Sequence, residues 1–179
     1  MAYPTLSGVL INLGGQLGYF WKFTTGGAFL VGLFFALKSI YQFKEYGEMR
    51  VMMSANTDIR KPMIYLLIGL VLIYAPFVAK QFLQTMFNVS SPVPYAYNAS
   101  GNVGQQFKET VNFLGGIVEF IGFIAFIRGW IVIVHSVQQQ SQPWSLAKGL
   151  MHILGGILAI NIFGTFQLLQ QTIGWTTGS

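Results

Sequence analysis

The chain has 179 residues, of which 53% are hydrophobic and only 8% are charged, whereas about 25% charged residues are usual in soluble domains. This composition excludes an ordinary soluble globular domain and indicates helices that pack closely in a lipid bilayer. Cysteine is absent, which excludes disulfides, a thiolate nucleophile and cysteine-based metal sites. The net charge of +5 is, in a membrane protein, first of all a signal of topology.

The first 88 residues predict a surface helix followed by two membrane spans. Over residues 1–22, apolar side chains recur at spacings of three and four, as on one face of an amphipathic helix at a membrane surface: Leu6, Leu10, Leu13, Leu17 and Trp21. Residues 23–41 and 62–82 are apolar and long enough to cross a hydrocarbon core of about 30 Å. Pro76 lies within the second span, where we expect a kink because proline has no N–H to donate.

The remaining residues follow the same order. Residues 89–102 form an uncharged loop rich in Pro, Ser and Asn, and residues 103–179 then predict a second surface helix with spans at 113–135 and 146–174. The sequence therefore predicts an all-α integral membrane protein. Its four transmembrane helices are arranged as two tandem parallel hairpin repeats, each preceded by an amphipathic surface helix.

The two halves also align residue by residue. A shift of 90 residues places residues of the first span on similar residues of the third: Gly26 on Gly116, Gly32 on Gly122 and Lys38 on Arg128. A shift of 87 residues aligns the second span with the fourth and pairs Gly69 with Gly156. The glycines predict patches that another helix can approach closely, at Gly26, Gly32, Gly116, Gly122, Gly155 and Gly156.

Basic residues are distributed unevenly between the loops. The loop between the first two spans carries the largest group, which consists of Lys44, Arg50, Arg60 and Lys61. By the positive-inside rule, both hairpin loops are expected in the cytoplasm, and both termini and the loop at 89–102 on the other side. The same basic group is a candidate surface for anionic lipid, for a partner protein or for a transferred DNA–protein substrate.

Glu119 and Arg128 are charges placed well inside an apolar run. They cannot pair within one straight helix, because nine residues at 100° each put them on opposite faces, about 13 Å apart along the axis. At the depth of Glu119, the returning helix offers Asn161 and Thr165, and the first repeat offers Tyr74. The carboxyl group is either a proton or ion relay, or a structural group at a packing interface or water-filled lumen. We favour the structural role.

The other polar residues of the spans have simpler explanations. Arg128 can extend its guanidinium to the headgroups, His152 stands at the inner interface without an acidic neighbour for a metal site, and Asn161 can join helices by hydrogen bonds. No cofactor or metal is expected, and a bound phospholipid is the one ligand left open. No nucleotide-binding or hydrolase motif is present, so we do not expect an enzyme.

Longer segments resemble a known family. The segments GFIAFIRGW (122–130) and QPWSLAKGLMHILGGILAINI (142–162) resemble the DotE/IcmC proteins of the type IVB (Dot/Icm) secretion system and the TraQ proteins of I-type conjugation systems. The segments GLFFALKSIYQFKEYG (32–47) and KPMIYLLIGLVLIYAP (61–76) resemble the sister DotP/IcmD and TraR proteins, which have two spans.

This resemblance implies a multi-pass subunit of the bacterial inner membrane that contributes to the translocation channel, or to its assembly, for protein or DNA transfer. It implies a polytopic partner of the DotA/TraY type, a hairpin partner of the DotP/TraR type, and a multi-subunit ring or homo-oligomer. The residues themselves leave one alternative, a small ion- or proton-conducting transporter or channel that uses Glu119. A lipid-modifying enzyme is disfavoured because the residues for a nucleophile or a metal site are missing.

Overall fold

The computed structural model describes residues 6–51, 58–93, 102–138 and 144–174, and helices are the only regular elements within these ranges. Within these ranges, six helices follow one another: α1 (Leu6–Val51), α2 (Arg60–Ile73), α3 (Ala75–Phe87), α4 (Asn102–Gln138), α5 (Trp144–Ile160) and α6 (Ile162–Ile173). The all-α class predicted from the sequence is confirmed for this part of the chain. Most of the predicted loop at 89–102 lies outside the described residues.

α1 and α4 each join a predicted surface helix to the span that follows it. They have 46 and 37 residues, which correspond to about 69 Å and about 55 Å of helix. The predicted surface helices before residue 23 and before residue 113 are therefore not separate elements, because each continues without interruption into the span that follows it. Neither junction contains a proline, and glycines are tolerated inside apolar helices, so nothing in the sequence interrupts the backbone hydrogen bonds.

The helices have the length and composition of membrane spans. α1 and α4 contain stretches long and apolar enough to cross a membrane, at 16–51 and 107–137. The number of candidate spans rises to four if α2 with α3, and α5 with α6, each count as one span. By length and composition, the described part of the chain thus has two to four candidate membrane spans.

The helical segment that follows α1 and the one that follows α4 are each bent by about a right angle. α2 and α3 meet at 87° around Tyr74, and α5 and α6 meet at 93° around Asn161. The first bend agrees with the kink predicted at Pro76, which lies in the first turn of α3. The second bend was not predicted, since no proline stands near Asn161.

α1 and α2 form the first hairpin and touch at glycine positions. A Cβ atom built on Gly32 would lie 2.7 Å from the carbonyl oxygen of Gly69 and 2.7 Å from the amide nitrogen of Ile73, so a side chain there would force the helices apart. Further along α1, Ser39 Oγ donates a hydrogen bond of 2.7 Å to the carbonyl oxygen of Pro62. Because the contacted residue number falls along α2 as it rises along α1, the two helices are antiparallel.

α4 and α5 form the second hairpin in the same way. A Cβ atom on Gly122 would lie 2.7 Å from the amide nitrogen of Ile160 and 2.8 Å from the carbonyl oxygen of Gly156. A Cβ atom on Gly129 would lie 2.8 Å from the carbonyl oxygen of Gly149. The contacts of the first hairpin recur in the second at the shifts found in the sequence. Contacting residues of α1 and α4 differ by 90 in number, and those of α2 and α5 differ by 87, as do the two bend residues Tyr74 and Asn161.

The two hairpins meet through aromatic side chains. Trp21 of α1 stacks on Phe123 of α4, with ring centroids 4.6 Å apart and 16° between the planes. Phe82 of α3 meets Phe126 of α4 edge-on at 5.9 Å. Phe123 and Phe126 are fully buried. The core of the described chain therefore lies where the hairpins face each other, whereas the outer faces of α1 and α2 are apolar and exposed, as expected of lipid-facing surfaces.

Candidate functional site

Glu119 lies on the face of α4 that packs against α5 and α6. Gly115, Gly122 and Phe126 share this face, at spacings of four, three and seven residues from Glu119. The ring of Phe163 covers Gly115, and the backbone of Phe126 lies against α5. Glu119 is half-buried, and within the described ranges its carboxyl group has no hydrogen bond and no ion pair.

Glu119 is level with the bend between α5 and α6. Gly122 lies against Ile160 at the end of α5, and Gly115 lies against Phe163 at the start of α6. Asn161 falls between these two contacts. Asn161 is therefore found at the depth expected beside Glu119, although no hydrogen bond joins the two side chains in the described structure.

The bend at Asn161 is stabilised by hydrogen bonds from two sides. Asn161 is 1% exposed, and its Oδ1 accepts a 2.9 Å hydrogen bond from the backbone N–H of Val93, in the segment after α3. The Thr165 hydroxyl donates a 2.9 Å hydrogen bond to the carbonyl oxygen of Leu158, whose usual helical partner lies beyond the bend. Asn161 thus joins the second hairpin to the segment that follows α3, which is a more specific role than the helix contact that the sequence predicted.

A cavity of about 190 Å³ adjoins this bend. Its lining combines three carboxamides with apolar side chains: Phe87, Val89, Val93, Asn161, Gly164, Gln167, Leu168 and Gln171. The Asn161 Nδ2 is buried and has no hydrogen-bond partner among the described residues. The Asn161 amide lies directly over Gly164, where a Cβ atom would collide with it. A side chain at position 164 would therefore force the Asn161 amide to move.

Lys38 and Arg128, which the shift of 90 residues places at the same position of the two hairpins, have different surroundings. Arg128 is exposed and takes no part in the buried face of α4, as helix geometry predicted. The Nζ of Lys38, its counterpart, lies 4.9 Å from the centroid of the buried Tyr65 ring, which is a cation–π distance. His152 stands where the first hairpin has Tyr65, and its Nδ1 lies 2.8 Å from the carbonyl oxygen of Lys148 in its own helix. The contact of Lys38 with Tyr65 was not predicted from the sequence.

The predicted basic loop is partly helical. α1 continues through Lys44 and Arg50 to Val51, well past the predicted end of the first span, and α2 begins at Arg60. Lys44 forms an ion pair of 3.7 Å with Glu48, but both side chains are exposed, so the pair contributes little to stability. A polar cavity of about 280 Å³ lies at this end of the hairpin, lined by Gln42, Glu45, Tyr46, Met49, Asp58, Lys61 and Pro62.

The predicted packing glycines separate into two classes. Gly32, Gly122 and Gly156 lie at tight crossings inside a hairpin, and Gly116 faces Leu17 of α1, with 3.5 Å from its built Cβ to a leucine methyl carbon. Gly26 and Gly155 have no atom within 4 Å of a built Cβ, and the same is true of Gly27 beside Gly26. The first class is used within the chain, and the second is open to the surroundings.

Among the described residues, no group of three or more His, Asp or Glu side chains is placed to hold a metal ion. Comparisons with protein-family models, with curated proteins and with solved structures found no match. The candidate site consists of the features described above: Glu119, the bend at Asn161 beside it, and the open glycine patches on the outside of the hairpins.

Proposed function

We propose that the chain is a structural subunit of a type IV secretion apparatus of the type IVB or I-type conjugative class. It contributes to the translocation channel, or to its assembly, in the bacterial inner membrane. The observation that carries this proposal is the open class of glycines. Gly26 and Gly155 lie on helices whose other glycines already hold the hairpins together. They leave faces on which helices of neighbouring subunits can pack closely.

The proposal includes a chain built from two tandem hairpin repeats that together cross the membrane four times. It is supported by the tight crossings and the bends, which recur in the two hairpins at the same two shifts. The basic residues at the loop ends of the hairpins support a cytoplasmic position for those ends, with both termini in the periplasm.

The resemblance of 122–130 and 32–47 to DotE/TraQ and DotP/TraR proteins supports the choice of apparatus and of partners. The partners would be a DotA/TraY-like polytopic protein, a DotP/TraR-like hairpin protein and further copies in a ring or homo-oligomer. The exposed residues Arg50 and Arg60 would be free to contact anionic lipid, a partner or a transferred substrate.

The test is extraction of the protein from its native membrane in a mild detergent, followed by measurement of the mass of the complex that carries it. We expect a large multi-subunit complex from the wild type. Gly26→Leu and Gly155→Leu should release the chain as a smaller species, because each adds bulk to an open patch. Gly47→Leu is the matched control, since Gly47 is equally open but lies in the polar extension of α1. Recovery of the wild type as a free monomer would contradict the proposal.

Glu119 supports a second candidate, a proton- or ion-conducting channel. Its carboxyl group has no partner in the described structure and lies level with an interrupted helix, as ion and substrate sites of transporters often do. Glu119→Gln separates the two functions. Under the first, the variant assembles normally and proteoliposomes of either protein show no specific ion flux. Ion flux in the wild type that is lost in an intact Glu119→Gln variant would favour the channel.

A further inference from the structure

An apolar groove runs along the outer side of α2, beginning at Arg60. It has a volume of about 570 Å³ and is lined by Phe43, Arg60, Met63, Ile64, Leu66, Leu67 and Leu70. The lining residues of α2 recur mainly at spacings of three and four, so they form one face of the helix. Between Arg60 and Leu70 the helix rises about 15 Å, which is half of a hydrocarbon core of about 30 Å. The groove thus has the length of one leaflet.

Arg60 is the one charged residue in this lining. The nearest acid along the chain, Asp58, accepts a 3.0 Å hydrogen bond from the backbone N–H of Arg60. Its side chain lines the polar cavity on the other side of the hairpin end, together with Lys61. No ion pair to the Arg60 guanidinium occurs within the described ranges, and residues 52–57 contain no acid. The guanidinium is therefore available to an anion at the end of the groove.

We propose that this groove binds one anionic glycerophospholipid, with an acyl chain along Met63, Leu67 and Leu70 and the phosphate on Arg60. Arginine forms strong charge-assisted hydrogen bonds to phosphate oxygens, and the apolar lining suits a hydrocarbon chain. The position of a single cation at one end of a leaflet-long apolar groove matches the layout of a phospholipid. This inference goes beyond the proposed function and does not depend on it.

The second hairpin provides an internal comparison for this site. The shift of 87 residues places Leu150, Met151 and Leu154, which are apolar and exposed, where the groove has Met63, Ile64 and Leu67. Arg60, however, corresponds to Ala147. The apolar stripe is thus repeated and the cation is not. A preference for an anionic headgroup is therefore expected of the first hairpin alone.

The test is native mass spectrometry of the purified full chain titrated with phosphatidylglycerol or with phosphatidylcholine of the same acyl chains. We expect the first phosphatidylglycerol to bind about fivefold more tightly than phosphatidylcholine, because the attraction between one cation and an anionic headgroup at a membrane surface has this magnitude. Arg60→Gln should abolish this preference, and Arg50→Gln, the matched loss of a basic residue, should retain it. Leu67→Trp should weaken both lipids at this site by filling the groove, and Leu154→Trp should not.

Three outcomes would overturn the proposal. The first is a wild type without preference between the two lipids. The second is an equal loss of preference in Arg60→Gln and Arg50→Gln, which would indicate diffuse attraction by the basic surface. The third is unchanged lipid binding in Leu67→Trp. Ala147→Arg gives an independent check, since it should add a second phosphatidylglycerol-preferring site on the other hairpin. The mass of the native complex is a separate readout, so a failure here leaves the proposed function standing.

Discussion

Within each hairpin the two helices cross at equivalent positions, but at one of these crossings the two hairpins use different groups. In the first, the Ser39 hydroxyl bridges to the carbonyl oxygen of Pro62. In the second, Gly129 and Gly149 occupy the same places, and the helices approach so closely that a Cβ atom has no room. The same geometry is therefore reached once by a hydrogen bond and once by the removal of side chains. A helix crossing can be retained while the chemistry that stabilises it changes.

The two bends also lie at equivalent positions and have different causes. Around Tyr74 the bend coincides with Pro76, whose missing N–H interrupts the helix locally. Around Asn161 no proline is present, and the side chain instead accepts a hydrogen bond from the backbone N–H of Val93, in the segment after α3. Tyr74 is 61% exposed and Asn161 is 1% exposed. One bend is thus encoded by neighbouring residues, whereas the other depends on a residue far along the chain.

The hairpins are also offset along their axes. The shift of 90 residues pairs Trp21 with residue 111, yet Trp21 stacks on Phe123. Leu17 likewise meets Gly116 and not its equivalent at position 107. The displacement is roughly ten residues, or about 15 Å of helix rise. Equivalent residues in the two hairpins therefore have different neighbours, which allows Glu119 to stand where the first hairpin has the exposed Phe29.

The largest effect is expected at the tight crossing of the second hairpin. Gly156→Ala would place a Cβ atom 2.7 Å from the carbonyl oxygen of Gly122 and 2.7 Å from the amide nitrogen of Phe126. Because both are backbone atoms, the helices must separate, and we expect the free energy of unfolding to fall by about 3 kcal/mol. The measurement is an unfolding titration with SDS in mixed micelles.

Gly155→Ala is the control for that substitution. Gly155 precedes Gly156 in the same helix, but nothing lies within 4 Å of its built Cβ. Helix propensity favours alanine over glycine by about 1 kcal/mol, so this variant should unfold no more easily than the wild type. Equal destabilisation of the two variants would show that the crossing is not where the structure puts it.

An intermediate effect is expected at the bend of the second hairpin. Asn161→Ala leaves the Val93 N–H without its acceptor, which costs about 2 kcal/mol in a buried setting. Tyr74→Ala, at the equivalent position of the first hairpin, removes an exposed side chain and should change the free energy of unfolding by less than about 0.5 kcal/mol. The same SDS titration distinguishes them, and a larger loss for Tyr74→Ala would refute the different origins of the two bends.

The smallest effect is expected at the serine crossing. Ser39→Ala removes an interhelical hydrogen bond of 2.7 Å, and such bonds contribute about 0.6 kcal/mol in membrane proteins. Ser136→Ala is the matched control, because the Ser136 hydroxyl donates to Ile133 in its own helix. In parallel titrations, Ser39→Ala should lower the free energy of unfolding more than Ser136→Ala does. No difference would mean that proximity of the backbones alone holds the first hairpin.

The sequence predicted part of the candidate site for good reasons. Helical periodicity is enough to put Glu119 and Arg128 on opposite faces, and the structure has Glu119 half-buried and Arg128 exposed. Counting along antiparallel helices placed Asn161 at the depth of Glu119. The cation–π contact of Lys38 with Tyr65 was missed, since periodicity does not say which neighbouring helix a long side chain will reach.

By itself, the sequence determined the helical class, the apolar stretches of membrane-spanning length and the kink near Pro76. These follow from composition, local hydrogen-bonding capacity and spacing, which act within a few residues or repeat along the chain. The tertiary structure alone decided that the chain bends at Asn161 and that the hairpins are offset. Each depends on contacts between distant segments, such as Val93 with Asn161 and Trp21 with Phe123, which no local pattern specifies.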